Sequence, residues 1–389
     1  MNLAEIQRAL RDQALDGWLF FDHHRRDPLA YRVLGFHPER EITRRWYYLI
    51  PAEGEPSGLV HRIEAFVLED LPGEKRKYSS WTTQVAGVRD LLSGRKRVAM
   101  QYSPSCAIPY VSMVDAGTLE LVRGTGVEVV SSADLVQLFE ARWNVSKLES
   151  HLEASARVDE IRRRAFQLAS ERINSGISVD DWGVRHFILD AFSAAGLVTD
   201  SGPIVAVNAN AANPHYEPAE YGCSPIRRGD VLLIDLWAKL DRPDSVYYDV
   251  TWMGYCGPTP PTDVQNVFDV VRGARDRAIQ FVQRAVAERR EIRGFEVDDA
   301  ARGFIAERGY SDFFVHRTGH SIGTEVHGAG ANMDNLETHD ERTIIPWTCF
   351  SIEPGVYLRD FGIRSEINLF VDEQRARVTG EIQERLVAV

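Results

Sequence analysis

The sequence contains few cysteines, no long apolar stretch and no excess of positive charge, and each shortage excludes a class of protein. Its 389 residues include four scattered cysteines, without a C-x-x-C spacing or a disulfide framework. No apolar stretch approaches the ~20 residues that a transmembrane helix needs. The formal net charge of −12 argues against nucleic acid or an anionic membrane as a partner. Residues 1–6 are typical of an amphipathic helix rather than a signal peptide, so we expect a cytoplasmic protein.

The most informative segment is 316–327, which reads H-R-T-G-H-S-I-G-T-E-V-H. It contains His316, His320 and His327, with Gly319 and Gly323 between them. Two glycines so close together disfavour a helix, and glycine lets the backbone approach another group closely. A lone histidine is most often a surface or core residue, but three in twelve residues predict imidazoles that face a common site.

Two apolar segments each contain a single aspartate. Asp235 interrupts residues 231–237, and Asp249 interrupts residues 246–252. An ionised carboxylate in a buried strand costs much free energy unless it is paired or binds a metal ion. The intervening residues 241–245 have the composition of a turn. We therefore predict a β-hairpin that brings Asp235 and Asp249 close together.

Two glutamates occur in similar surroundings further along the chain. We predict that Glu353 stands at the end of an apolar strand, before a Pro-Gly pair, and that Glu366 lies inside an apolar strand over residues 362–370. The alternative for each acid is a strand-end residue that faces solvent, and this alternative is strongest for Glu353. For all four acids it requires four independent coincidences. The four acids and one histidine therefore form a candidate set of five metal ligands.

These segments resemble the pita-bread metallopeptidases, which include methionine aminopeptidase, aminopeptidase P and prolidase. The motifs L-I-D, Y-D-V-T, T-G-H-S-I-G-T-E-V-H, S-I-E-P-G-V-Y and G-I-R-S-E stand in the order of that family. The resemblance implies an α+β pita-bread catalytic domain over residues 146–389. Residues 1–145 resemble the N-terminal domain of the creatinase, prolidase and aminopeptidase P branch. Their alternating strand and helix patterns independently predict an α/β domain.

Four carboxylates and one imidazole are mostly hard oxygen ligands. They are too many for one zinc ion and suit a pair of divalent ions such as Mn²⁺. The resemblance implies that Asp235 binds one ion, that His320 and Glu353 bind the other, and that Asp249 and Glu366 bridge the two. We expect two divalent metal ions, with Mn²⁺ as the first choice and Co²⁺ or Zn²⁺ as alternatives.

The resemblance also implies roles in catalysis. A hydroxide that bridges the two metal ions would attack the scissile carbonyl, with Glu353 as general base. His327 and His316 would steady the carbonyl and the tetrahedral intermediate, and His215 would contact the substrate. Arg364 would bind a substrate carboxylate. The alternative for Arg364 is to hold a ligand carboxylate, and the residues alone favour neither role.

The sequence departs from the family pattern at positions that bear on the substrate. Asp235 is followed by Leu236 and Trp237 where the family usually has D-x-G, and Gly328 follows His327 where an acid is frequent. No departure removes a ligand. We predict an Xaa-Pro dipeptidase (prolidase), with an Xaa-Pro aminopeptidase for longer peptides as the first alternative. A non-peptidase enzyme on the same fold and a binding protein on that fold are the others.

Two further predictions concern oligomeric state and helix boundaries. Residues 23–28 form a polar loop, which is either solvated or contributes to a site in a dimer partner. The resemblance and this loop predict a homodimer. Residues 298–308 have a helical pattern, with Asp298 as a candidate N-cap.

Overall fold

The computed structural model describes residues 1–36 and 41–389 of the chain. Within this range the chain forms two compact units, Met1–Glu140 and Ala141–Val389. Each unit has apolar core residues of its own. The domain limits 1–145 and 146–389 stay a prediction.

The N-terminal unit alternates strands with short helices. Its strands are β1 Gly17–Asp22, β2 Trp46–Pro51, β3 Ser57–His61, β4 Glu74–Tyr78, β5 Arg97–Met100 and β6 Glu128–Ser131. Its helices are α1 Leu3–Asp12, α2 Pro28–Leu34, α3 Trp81–Leu91, α4 Ala116–Arg123 and α5 Ala133–Val136. The strands form one sheet in the order β4-β3-β2-β1-β5-β6.

The apolar strand β1 forms the middle of this sheet. Its sequence G-W-L-F-F-D is buried along its whole length, with β2 paired to one edge and β5 to the other. β1 is antiparallel to β2 and parallel to β5, so the sheet is mixed. In the polar loop that follows β1, His23, His24 and Arg26 line a cavity of about 830 Å³ within the unit.

The C-terminal unit contains longer helices and several small sheets. Its helices are α6 Val145–Asn174, α7 Asp181–Ala194, α8 Thr262–Ala287 and α9 Gly294–Ala306. Its strands are β7 Leu197–Val198, β8 Ile204–Val207, β9 Val231–Leu240, β10 Tyr248–Tyr255, β11 Ser321–Ile322, β12 Thr348–Ile352, β13 Gly355–Tyr357, β14 Gly362–Arg364, β15 Ile367–Val371, β16 Ala376–Thr379 and β17 Val387–Ala388.

The hairpin β9–β10 is the centre of the first sheet in this unit. β7 and β8 pair with β9, and β17 pairs with β10. A second sheet has the order β11-β12-β15-β16, and β13 pairs with β14. Helix α6 packs on the hairpin through an apolar stripe with helical spacing. That stripe consists of Ala154, Val158, Ile161 and Ala165. The predicted hairpin is therefore confirmed, with both strands longer than predicted at their C-terminal ends.

Two local predictions are wrong. Asp298 does not cap a helix, because α9 begins four residues earlier, at Gly294. Its buried carboxylate instead accepts hydrogen bonds from the backbone N–H and the hydroxyl of Thr318, at 2.9 and 2.6 Å. Glu366 does not lie inside a strand but in the break between β14 and β15. There its backbone N–H bonds to the carbonyl of Thr251 in the neighbouring sheet.

Candidate metal centre and active site

The register of the β9–β10 hairpin places two acids on one face. Asp235 lies directly opposite Thr251, and Asp249 lies directly opposite Trp237. Residues that face each other across an antiparallel pair point to the same side, as do residues two apart on one strand. All four side chains therefore share one face of the hairpin. The side-chain amide of Asn368 in β15 bonds to both backbone groups of Asp249 and joins the two sheets at this point.

The second sheet supplies the histidine and the glutamates. His320 immediately precedes β11, and Glu353 immediately follows β12. The Nε2 atom of His320 lies 3.4 Å from Oε1 of Glu353 and 3.6 Å from Oδ2 of Asp249. One ligand atom each from Asp249, His320 and Glu366 lie within 4.8 Å of one another. Together with Asp235, the five predicted ligands thus gather where the two sheets meet.

The tautomer of His320 places a nitrogen lone pair toward the acidic side chains of this cluster. Its Nδ1 atom bonds to the backbone carbonyl of Ser321 at 3.2 Å, and a carbonyl can only accept, so Nδ1 carries the proton. Burial lowers the pKa of His320 to about 4, so the ring is neutral at pH 7. The lone pair on Nε2 then faces Oε1 of Glu353 and Oδ2 of Asp249, so three potential metal-ligand atoms lie close together.

Unpartnered carboxylate oxygens lead to the same conclusion. Oδ1 of Asp235, Oδ1 of Asp249 and Oε1 of Glu366 are buried and accept no hydrogen bond from the described residues. A buried acceptor without a partner is costly, and oxygens of this kind are the ligands that hard divalent cations prefer. The side chains present therefore fit a metal centre.

The buried carboxyl groups of this cluster have raised pKa values. Burial raises the pKa of Asp235 to about 6, against the opposing effect of Arg364, and it raises the pKa of Asp249 to about 7. Burial also raises the pKa of Glu366 well above its usual value, and the negative charges of Asp249 and Glu353 add to this rise. A divalent cation among these groups would reverse these shifts by stabilising the ionised carboxylates.

Arg364 connects these acids through one network of buried side chains. Its guanidinium donates to Oδ2 of Asp235, to the hydroxyl of Thr251 at 3.0 Å, and to the hydroxyl of Tyr357 at 3.3 Å. The hydroxyl of Thr251 in turn donates to Oε2 of Glu366 at 3.0 Å. Arg364 therefore touches one acid directly and a second acid through Thr251.

The other histidines take different positions. Nδ1 of His316 bonds to the carbonyl of Arg317 at 2.7 Å, so its Nε2 accepts from the hydroxyl of Tyr357 at 2.6 Å. Both ring nitrogens of His316 are thus engaged by the protein. His327 is exposed, and its ring lies edge-on to His320 with centroids 4.4 Å apart. The neighbouring His320, together with partial loss of hydration, lowers the pKa of His327 to about 3. His215 lies exposed in the loop after β8.

Sequence reasoning missed Thr251 and Tyr357. Thr251 had a usable signal, because it stands two residues after Asp249 in a strand and must share its face. Tyr357 had a weaker signal, because the strand β13 that orients it is only three residues long. Its contact with His316 joins residues 41 positions apart, which no local pattern predicts.

Comparison with known proteins identifies the family. The model of metallopeptidase family M24 matches residues 150–373. The chain belongs to this family. The match begins within α6 and ends after β15, so it contains all five of the clustered ligand candidates.

The individual relatives have low sequence identity to this chain. The chain is 25% identical over 278 residues to the Xaa-Pro dipeptidase of Pyrococcus furiosus, which covers 66% of this chain and 74% of that protein. Its structure is similar to that of dipeptidase PepE from Mycobacterium ulcerans, with a TM-score of 0.72, 23% identity, and 100% and 96% of the two chains covered. It is also similar to an X-prolyl aminopeptidase from Caenorhabditis elegans, described as a cytosolic enzyme with a di-nuclear active site. That match has a TM-score of 0.68 and 16% identity, and covers 99% of this chain and 62% of the other.

Family membership and structural similarity confirm several predictions. The chain is a metallopeptidase with an α/β N-terminal unit and a pita-bread catalytic unit. The non-peptidase alternatives are thereby set aside. Among the described residues, no helix combines the length and apolar character that crossing a bilayer requires.

Proposed function

We propose that this metallopeptidase is an Xaa-Pro dipeptidase whose catalytic unit holds two divalent metal ions. The ligands in this proposal are those expected from the sequence. Asp235 would hold one ion and His320 and Glu353 the other, with Asp249 and Glu366 as ligands shared by both. Mn²⁺ is the proposed metal, with Co²⁺ and Zn²⁺ as alternatives.

One observation carries the metal proposal, and it is the arrangement around His320. A neutral Nε2 lone pair faces the carboxylates of Glu353 and Asp249 at 3.4 and 3.6 Å. The same cluster contains three buried carboxylate oxygens without a hydrogen-bond partner among the described residues. One ion would leave part of this set unsatisfied, because four carboxylates and an imidazole exceed the needs of one small cation.

When bound, the two metal ions would polarise the scissile carbonyl and activate water for attack. Glu353 would take the proton from the attacking water and pass it to the leaving nitrogen of proline. The hydroxyl of Ser351 donates to Oε1 of Glu353 at 3.2 Å and holds this carboxylate in one orientation.

The histidines around the cluster would act on the carbonyl of the substrate. His327 is neutral and exposed beside His320, so its ring N–H is free to donate to the developing oxyanion. His316 would act through Tyr357, since its Nε2 accepts from that hydroxyl. His215 remains our proposed substrate contact, on the resemblance alone.

The contacts of Arg364 support the second of its two roles. A guanidinium that already donates to Asp235, Thr251 and Tyr357 has few N–H groups left for a substrate carboxylate. We therefore propose that Arg364 orients Asp235 and, through Thr251, Glu366. Partners of metal ligands commonly tune metal affinity in this way.

Substrate length is the less constrained part of the proposal. The dipeptidase choice draws support from the Xaa-Pro dipeptidase and dipeptidase PepE among the similar proteins. The X-prolyl aminopeptidase among them keeps activity on longer peptides as the second candidate. The test is a panel of Xaa-Pro dipeptides, Xaa-Pro-Xaa tripeptides and dipeptides without proline, assayed with protein of known metal content.

We expect cleavage of Xaa-Pro dipeptides, loss of activity after chelation, and recovery on adding Mn²⁺ or Co²⁺. Efficient cleavage of Xaa-Pro-Xaa tripeptides would favour an aminopeptidase over the proposed dipeptidase. Full activity in protein shown to be free of metal would overturn the metal proposal. A homodimer and a cytoplasmic location remain predictions, and sedimentation at micromolar concentration tests the former.

A further inference from the structure

A carboxylate outside the five-ligand set lies at the edge of the candidate site. Asp200 stands between β7 and β8, and its Oδ1 accepts a hydrogen bond from Nε1 of Trp237 at 2.9 Å. The hydroxyl of Ser201 also donates to this oxygen, at 3.3 Å. Trp237 shares the ligand-bearing face of the hairpin because it lies directly opposite Asp249. The indole of Trp237 therefore holds the Asp200 carboxylate beside the metal cluster.

The charge of Asp200 is not balanced by the protein. The side chain is exposed, and within residues 1–36 and 41–389 it forms no ion pair with a lysine or arginine.

Asp200 is not one of the proposed metal ligands, so metal ions bound by those ligands would leave its carboxylate available to the substrate. A fixed carboxylate at the edge of such a site suits a cationic group that arrives with the substrate. The indole of Trp237 adds a π face that also favours a cation.

We propose that Asp200 is a substrate-binding residue that accepts a hydrogen bond from an ammonium group on the first residue of the peptide. Trp237 is its positioning residue. This inference rests on the proposed peptidase reaction and adds the charge of the preferred substrate. The ammonium has two sources, the α-amino group of every peptide and the side chain of an N-terminal lysine, and the experiment separates them.

The indole N–H of Trp237 is a directed donor, so it fixes the position of the Asp200 carboxylate.

The experiment measures binding and kinetics in metal-loaded protein. Calorimetry compares L-lysine, L-norleucine and 2-hydroxyhexanoate, which share a six-carbon chain but carry two, one and no ammonium groups. Steady-state assays compare Lys-Pro with norleucyl-Pro. The variants are Asp200→Asn, Asp200→Glu and Trp237→Phe. The matched control is Asp244→Asn, which removes one exposed acid from the turn of the same hairpin.

We expect Asp200→Asn to weaken ammonium binding by about tenfold or more, as for loss of a hydrogen bond to a charged group. The effect should appear in KM, with kcat and metal content close to wild type. Asp200→Glu should restore part of the loss, and Trp237→Phe should show the same pattern more weakly. Asp244→Asn should behave as wild type.

The pattern of losses identifies the source of the ammonium. If Asp200→Asn weakens the binding of norleucine and lysine equally and leaves 2-hydroxyhexanoate unchanged, Asp200 binds the α-amino group. If it weakens the binding of lysine alone, Asp200 binds the ammonium of the lysine side chain. No loss for either amine, or an equal loss for all three ligands, overturns the inference. If the wild type cleaves only dipeptides without proline, the proposed Xaa-Pro specificity fails while the calorimetric comparison still decides the role of Asp200.

Discussion

The guanidinium of Arg364 donates to the carboxylate of Asp235, and both side chains are buried. The two residues lie 129 positions apart and belong to different small sheets. Their contact makes Arg364 part of the support of the proposed metal centre. It also links the position of a ligand to Thr251 and Tyr357, which no local sequence pattern connects.

The substitution Arg364→Lys tests this support. Lysine keeps the charge but loses the planar fork that reaches Asp235, Thr251 and Tyr357 together. We expect kcat/KM to fall about 10–100-fold for an Xaa-Pro dipeptide and equally for its amide, with weaker metal binding. Metal titration and parallel kinetics provide the measurement, and Arg359→Lys on the exposed β13–β14 turn is the control. A fall in kcat/KM confined to the free-acid dipeptide would show instead that Arg364 binds the substrate carboxylate.

The substitution Thr251→Val tests the link between Arg364 and Glu366. Valine has nearly the same shape as threonine but cannot accept from Arg364 or donate to Glu366. We expect metal affinity to fall about 10–100-fold, with Thr251→Ser restoring much of it. Calorimetry of metal binding measures the effect without relying on activity. Unchanged affinity in Thr251→Val would remove Thr251 from the metal support.

The substitutions Asp249→Ala and Glu366→Ala should each abolish activity, because each removes a proposed bridge between two ions. Retention of a substantial kcat with both ions bound would show that the bridging assignment is wrong. The fold should survive, since most of the apolar core lies elsewhere.

Asp249→Asn should affect stability in opposite directions with and without metal. In metal-free protein it removes a buried carboxylate and should raise Tm by about 2–5 °C. In metal-loaded wild type, ligand binding stabilises the fold, so the same substitution should lower Tm. Paired thermal scans with and without chelator measure both signs. A variant that lowers Tm equally in both conditions would contradict the metal assignment of Asp249.

His151 predicts a dependence of stability on pH away from the metal cluster. Its buried ring bonds to the carbonyl of Tyr247 at 2.6 Å and to the hydroxyl of Thr379 at 2.7 Å. Burial lowers the pKa of His151 to about 4, whereas unfolded histidine titrates near 6.5. Between these values the unfolded state binds the extra proton, so stability falls as pH decreases, by about 3 kcal/mol in total.

The measurement is denaturant unfolding of the wild type and His151→Gln from pH 7.5 to 4. The variant should lose stability at neutral pH but show a shallower decline toward acid. The exposed His186→Gln on α7 should keep the wild-type slope. Equal slopes for His151→Gln and the wild type would show that another group controls the acid transition.

The amino-acid sequence is enough to identify the chemical class of the site. Acids inside apolar strands are local signals, because the cost of burying a carboxylate applies wherever the strand is placed. The two apolar segments and the turn composition between them likewise predict the hairpin that carries Asp235 and Asp249. These features depend on residues close together in the chain, so local sequence patterns are sufficient to predict them.

Tertiary structure decides which partner each polar group takes. Asp298 has the composition of an N-cap but accepts from Thr318, 20 residues away. Arg364 has the charge to bind a substrate but is engaged by Asp235. A hydrogen bond requires a donor and an acceptor at about 3 Å, and only the packing of separate sheets and loops brings such distant residues within that distance. For the same reason, Asp200 has no distinguishing signal in the sequence, and only its contact with Trp237 places it beside Asp249.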